Sequence, residues 1–306
     1  MAKVVFFGTP DYVLSILIAL NKQHEIVAVV TQTAKPVGRK QEVVDSPVAE
    51  WAKKHKVKIV TDLQNIRVKA DVGVLAAYGR IIPKKVIDMF PSGIVNIHPS
   101  LLPKYRGASP TQATIVSGDR DTGVSLMQMD EEMDHGLIIA QFKEKVRNDD
   151  TGRSLLERLF TKSAKELAKI LQDYLDGKLK PVAQEHDKAT YTTLFKKEYG
   201  FVPPKYVKLA LNGKIAKSKW SVLYIQGFSL VPNPKAIERF IRAVSPWPNA
   251  WTEIKVTSNK GQVTRKLKIL RAHAKDGKLI LDQVQLEGKS PVSWNQFRQG
   301  YPEAIF

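Results

Sequence analysis

The sequence predicts two domains of different class. The first is an α/β domain on a Rossmann-like, mostly parallel sheet, and the second is a smaller, strongly basic C-terminal β-barrel. Three observations carry this expectation. The first sixty residues run strand, turn, helix, strand. An apolar run from Asp71 to Ala77 ends in the turn Tyr78-Gly79-Arg80-Ile81-Ile82-Pro83. After Ala250 the pattern changes to short alternating strands separated by Gly and Asn turns. A length of 306 residues accommodates about two cores of ordinary size.

Taken in order, Lys3 to Phe7 is an apolar β run that stops at Gly8-Thr9-Pro10-Asp11, and Tyr12 to Leu20 reads as a helix with Asp11 placed to cap it. Ile26 to Val30 is the next strand. Gly8-Thr9-Pro10 lacks the Gly-x-Gly-x-x-Gly spacing that lets a pyrophosphate approach a helix start, which excludes a dinucleotide site. A polar loop, Gln32 to Lys40, follows, then a helix opened by Ser46-Pro47 over Val48 to Lys54, and a strand at Lys58 to Val60. The strand at 71–77 delivers its turn to the C-terminal edge of the sheet, where open parallel sheets bind ligands. Gly93-Ile94-Val95 leads into Asn96-Ile97-His98, after which Pro99 and Pro103 hold an extended loop. Thr122 to Met129 alternates as a strand, with an acidic turn at 130–136 and an apolar run at Leu137 to Ala140 behind it.

Thr151 to Leu175 is the clearest helix, with Leu155, Leu156, Leu159, Leu167, Ile170, Leu171 and Tyr174 at three- and four-residue spacing and Gly177 to end it. The expected division is a catalytic domain at 1–177, a linker at 178–205 and a barrel at 206–306. Residues 200–234 are rich in Lys, Trp and Tyr, and read better as an added hairpin or helix packed on the second domain than as an extra RNA surface. Expected barrel strands are Trp251 to Val256, Lys266 to Leu270 and Lys278 to Val284.

The formal net charge is +18, and it is uneven: residues 201–306 hold 18 Lys+Arg against 6 Asp+Glu. A basic C-terminal third suits a polyanionic partner, although a lysine-rich proteome would explain the charge as well. With 43% hydrophobic and 25% charged residues the chain has globular composition, and its longest apolar stretch, Tyr12 to Leu20, is far short of a membrane span. The absence of cysteine excludes disulfides and thiolate metal sites. Met1-Ala2-Lys3 enters a β run directly with no leader pattern, so the expected compartment is cytoplasmic. The six histidines are scattered without a ligand pair such as His-Glu-x-x-His, and no metal is expected.

Asn96 and His98 alternate on a strand, so both side chains point to one side at its end. An amide and an imidazole presented together can polarise a carbonyl, yet alone the pair is explained more readily as polar tips capping a turn. The wider pattern alters that balance. Asn96-Ile97-His98-Pro99-Ser100-Leu101-Leu102-Pro103-Lys104-Tyr105-Arg106-Gly107, then Thr122-Gly123-Val124-Ser125-Leu126-Met127-Gln128-Met129-Asp130 and Asp134-His135-Gly136, resembles the folate-dependent formyltransferases in order and spacing. Within them the chain is most similar to the branch that formylates methionyl initiator tRNA.

That resemblance implies a formyltransferase fold with an oligonucleotide-binding type of barrel, 10-formyltetrahydrofolate as formyl donor, and methionyl initiator tRNA as partner. It implies catalytic roles for Asn96, His98 and Asp134. It also implies a folate site from Tyr78, Gly79, Arg80, Ile81 and Ile82 with Ser100, Leu101, Leu102 and Pro103, and substrate contacts from Arg39 and Lys197. In this scheme Asn96 and a protonated His98 stabilise an oxyanion, while Asp134 orients His98 and relays a proton through water. His135 is expected as a surface histidine that points away from Asp134. A monomer is expected. An amino-sugar nucleotide acceptor would use the same trio, a formyltetrahydrofolate hydrolase would leave the basic tail without purpose, and a non-catalytic RNA-binding module would not need the trio.

Overall fold

The computed structural model describes residues 1–37, 41–258 and 261–306. In chain order its main elements are β1 (Lys3–Gly8), α1 (Leu14–Asn21), β2 (Glu25–Val30), α2 (Pro47–His55), β3 (Lys58–Val60), β4 (Val72–Ala76), α3 (Lys84–Ile87), β5 (Ile94–His98), α4 (Pro110–Ser117), β6 (Asp121–Gln128), β7 (Ile138–Lys145) and α5 (Gly152–Leu175). Then come α6 (Pro204–Leu211), α7 (Pro234–Ala243), β8 (Ala250–Ser258), β9 (Gly261–Lys275), β10 (Lys278–Leu286), β11 (Val292–Ser293) and α8 (Trp294–Gly300).

The chain forms two units, one of Met1–Arg106, Thr122–Lys145 and Leu156–Ala189, the other of Gly107–Asp121, Val146–Leu155 and Thr190–Phe306. The expected division, a catalytic domain at 1–177, a linker at 178–205 and a barrel at 206–306, takes each as a continuous stretch. Residues 178–189 stay with the first unit because Val182 bridges to Ile138 and Gln184 is buried there. Residues 107–121 and 146–155 go with the second because Arg239 of α7 donates to the Val116 carbonyl, and Gly152 meets the Ala243 carbonyl where a Cβ would collide.

In the first unit, seven strands of the described residues order as β7-β6-β5-β4-β1-β2-β3. The run β5-β4-β1-β2-β3 is parallel, and β6 then lies antiparallel to β5. β1, β4 and β5 read as near-continuous apolar runs because both faces are covered, with Val5, Phe7, Val30, Tyr78, Phe90 and Ile94 in one buried cluster. α2 starts as expected: Ser46 Oγ accepts from Ala49 N at 3.1 Å and Pro47 fills the first helical position. Asp11 does not cap α1. It sits inside a 3-10 turn, Asp11–Val13, and accepts the N–H of Tyr12 at 2.9 Å, because the rigid Pro10 precedes the turn and occupies the cap position itself.

In the second unit, four strands of the described residues form an antiparallel sheet, β8-β9-β10-β11, consistent with a barrel-like domain. β9 is much longer than expected. Its first half pairs with β8 and its second with β10, and register shifts between Ile269 and Ala272 bend it from one partner to the other. The stretch 200–234 contains α6 and a strand pair, Trp220–Ser221 with Ser229–Leu230. Tyr206 and Val207 are buried, and the Trp220 ring lies 4.7 Å from Phe240 of α7, so the segment is packed structure. Among the described residues no helix is long and apolar enough to cross a membrane.

Candidate active site

β5 is an inner strand, paired with β4 on one side and β6 on the other, so its backbone is held along its length. Period-two alternation puts Asn96 and His98 on the same face, both buried. Asp134 reaches them from the connection between β6 and β7. Asn96 Nδ2 donates to Asp134 Oδ1 at 3.0 Å, and His98 Nδ1 lies 3.5 Å from the same oxygen. The trio expected from the sequence is therefore brought together.

The other imidazole nitrogen is taken by a partner that sequence reasoning missed. His98 Nε2 lies 2.9 Å from the carbonyl of Tyr105, which accepts only, so Nε2 carries a proton. Tyr105 has a φ of 61°, the left-handed region, which turns the chain after Pro103 back toward the strand end. With Nε2 committed, the ring donates toward Asp134 or a substrate oxygen only when Nδ1 is protonated as well.

The 99–105 loop is held from β6. Ser125 Oγ donates to the Ser100 carbonyl at 2.7 Å and accepts from Leu102 N at 2.9 Å and Gln141 Nε2 at 2.8 Å. Ser100 Oγ in turn donates to the Lys104 carbonyl at 2.6 Å. Gly123 leaves room for Leu101, whose Cδ2 would stand 2.5 Å from a Cβ at that position.

The Asp134 loop is held differently. Asp134 itself has a φ of 49°, a conformation that costs most L-residues roughly 1–2 kcal/mol and that Asp tolerates better than most. Gly136 lies against the Gln128 carbonyl, where any Cβ would collide. His135 is not the outward surface residue expected, because the positive φ at Asp134 breaks the extended path on which that expectation rested. Its Nδ1 lies 2.6 Å from Asp130 Oδ2, and its ring stacks on His186 at 4.0 Å. Gln184 Nε2 donates to the Asp134 carbonyl at 2.9 Å and to the Gly136 carbonyl at 2.8 Å.

The expected folate residues divide into two kinds. The Tyr78 ring is in the core, 6.1 Å edge-on from Phe7, so burial pushes its phenol pKa up and only its backbone remains for a ligand. The Tyr78 carbonyl already accepts from Thr9 Oγ1 at 3.1 Å and Gln32 Nε2 at 2.9 Å. Gly79 has a φ of 78°, and a Cβ there would sit 2.8 Å from Gln32 Nε2, so the turn requires glycine. Ile82 is buried, Arg80 is exposed, and Ile81 is an apolar side chain left 86% exposed just past the C-terminal end of β4. Arg39 lies outside the described residues. Lys197 opens a 3-10 turn in the second unit, where its carbonyl accepts from Trp251 Nε1 at 3.1 Å. Among the described residues no group of His, Asp and Glu is arranged to hold a metal ion.

Known proteins match this arrangement. Residues 2–171 match the family model described as formyl transferase. The chain is 34% identical to the methionyl-tRNA formyltransferase of Methylacidiphilum infernorum, covering all of the chain and 97% of the relative. It is 32% identical to that of Agathobacter rectalis, covering 97% and 96%. Among solved structures, a methionyl-tRNA formyltransferase from Clostridium thermocellum shares the fold with a TM-score of 0.53 at 18% identity, over 94% of this chain and 99% of that one. A sugar 3N-formyltransferase, WlaRD, does so with a TM-score of 0.61 at 20% identity, over 95% and 99%. At full length and more than 30% identity, with a trio of amide, imidazole and carboxylate converging at one strand end, the chain belongs to the methionyl-tRNA formyltransferase family.

Proposed function

We propose that the chain transfers a formyl group from 10-formyltetrahydrofolate to the α-amino group of methionyl initiator tRNA, with Asn96, His98 and Asp134 as its catalytic residues. The observation that carries this reading is the convergence of the Asn96 amide and His98 Nδ1 on a single oxygen of Asp134. Moving a formyl group between nitrogens places negative charge on the formyl oxygen and requires one proton to leave the attacking amine. Two preorganised donors, the Asn96 NH2 and the His98 Nδ1–H, suit that oxygen. The Asp134 carboxylate orients the His98 ring and takes the amine's proton, directly or through one water, while the formyl carbon's bond to the folate nitrogen breaks and that nitrogen leaves with a proton.

The folate supplies the formyl group on nitrogen. The exposed Ile81 beside the glycine turn at 78–79, with the anchored loop 100–103, is the kind of apolar edge flanked by backbone polar groups that a flat heteroaromatic ring covers. Arg39 and Lys197 are assigned to the tRNA side. The basic second unit supports the same acceptor, since a sugar nucleotide needs no extended cationic surface. The expected state is a cytoplasmic monomer.

A formyl-transfer assay with 10-formyltetrahydrofolate and methionyl initiator tRNA tests the reading. Wild type should transfer, and Asn96→Ala, His98→Ala and Asp134→Ala should each lose roughly a hundredfold or more in kcat. Turnover on an amino-sugar nucleotide, with none on the tRNA, would overturn the acceptor and leave the trio standing.

A further inference from the structure

We infer that Gln184 is a positioning residue for formyl transfer, and that Arg106 and His186 set its orientation so that Asp134 is held on target. The inference rests on the function proposed above.

Gln184 is 7% exposed, and its amide makes four hydrogen bonds. Its Nε2 uses both hydrogens, one on the carbonyl of Asp134 and one on that of Gly136. Its Oε1 accepts from Arg106 Nε at 3.2 Å and Nη2 at 2.7 Å. A guanidinium only donates, so it must face the amide oxygen, and the amide nitrogen must then face the two loop carbonyls. Arg106, 2% exposed, thus decides which way Gln184 points.

Arg106 is itself located by His186, whose Nδ1 lies 2.8 Å from Nη2 and can only accept there. His186 stacks on His135, the residue next to Asp134, and His135 is tied to Asp130. The contacts close a ring from the Asp134 carbonyl through Gln184, Arg106, His186 and His135 back to Asp134. No ladder of a sheet does this work, because Asp134 and Gly136 lie between β6 and β7. One amide clamps the carbonyls of residues i and i+2 in a loop whose first residue, Asp134, has a positive φ. A carboxylate that must meet Asn96 and His98 within a few tenths of an ångström depends on that clamp.

Gln184→Glu tests the inference, since glutamate has the same shape and pairs with Arg106, but as a carboxylate it cannot donate to the two carbonyls. In the full-length enzyme, kcat for formyl transfer should fall about tenfold or more, with KM for donor and tRNA close to wild type and a lowered melting temperature that still leaves the protein folded at the assay temperature. The loss should vanish in an Asp134→Asn background, because there is no longer a carboxylate to position. His186→Ala leaves Gln184 in place and should give a smaller fall in kcat with the same unchanged KM. The inference is overturned if Gln184→Glu keeps kcat within twofold, or if its loss persists in full beside Asp134→Asn, or if it follows the loss of folded protein while His186→Ala leaves kcat unchanged. A wild-type enzyme that fails to formylate the tRNA would instead overturn the reading on which the inference rests.

Discussion

The two halves of the proposed catalytic trio are made rigid by different means. Asn96 and His98 stand on a strand paired on both sides, and their positions follow from the backbone ladder. Asp134 stands on a connection, where Gln184 donates to its carbonyl and is itself held by Arg106, with His186 behind. A ladder fixes a side chain through many weak and redundant bonds. A clamp does so through a few bonds, each without a substitute. The comparison predicts that single changes reach the chemistry more directly from the loop half than from the strand half.

The sharpest way to break the comparison is Gly136→Ala. The added Cβ would collide with the Gln128 carbonyl, so the loop must shift, and activity should fall about a hundredfold or more while the strand half stays intact. Formyl-transfer kinetics together with a circular-dichroism melt would separate a moved loop from an unfolded protein. Activity near that of wild type would mean that the loop has more freedom than the clamp implies.

Ser125→Ala probes the strand half. It removes one hydroxyl that holds Ser100, Leu102 and Gln141, leaving buried polar groups without that partner, at a cost of roughly 1–3 kcal/mol. Because the 100–103 loop is assigned to the folate side, the expected result is a lower melting temperature and a raised KM for the folate, with kcat changed less than tenfold. A kcat loss as large as that of Gly136→Ala would erase the distinction between the halves.

The smallest effect is expected at His24, which is buried just before β2. Burial pushes its imidazole pKa below the ordinary value, the nearby Ala168 backbone opposing it only in part, and both ring nitrogens are buried without a hydrogen-bond partner. The unfolded chain then binds a proton more readily than the folded one. Stability is therefore fully present above about pH 6.5 and declines as pH falls below it. Melting temperatures between pH 8 and pH 5 should drop more steeply for wild type than for His24→Leu, and equal slopes would remove the assignment.

The same contrast explains what the sequence made legible. β5 could be read because apolar alternation and flanking prolines are local signals, and Asn96 and His98 fall on one face by periodicity alone. Asp134 came from motif spacing, and its geometry was not foreseen: a positive φ on an aspartate has no pattern of its own. Gln184 looked like linker, since its partners lie 48 to 78 residues away and a lone glutamine among polar residues carries no periodic signal. Tyr105 was missed for a related reason, as it acts through its carbonyl, which every residue has. In the second unit, α6 was read only as an added hairpin or helix, because the burial of Tyr206 and Val207 depends on an α7 that lies some thirty residues on.

The Tyr105 carbonyl has a further consequence, in the isotopic signature of the reaction. A ring anchored through Nε2 cannot turn over, so any proton His98 exchanges passes through Nδ1, the nitrogen that faces Asp134. In the mechanism proposed above, the hydrogen lost by the incoming amine leaves by the Asp134 side. Any solvent deuterium effect on the chemical step arises there, and replacing His98 should slow the step while leaving its proton inventory unchanged.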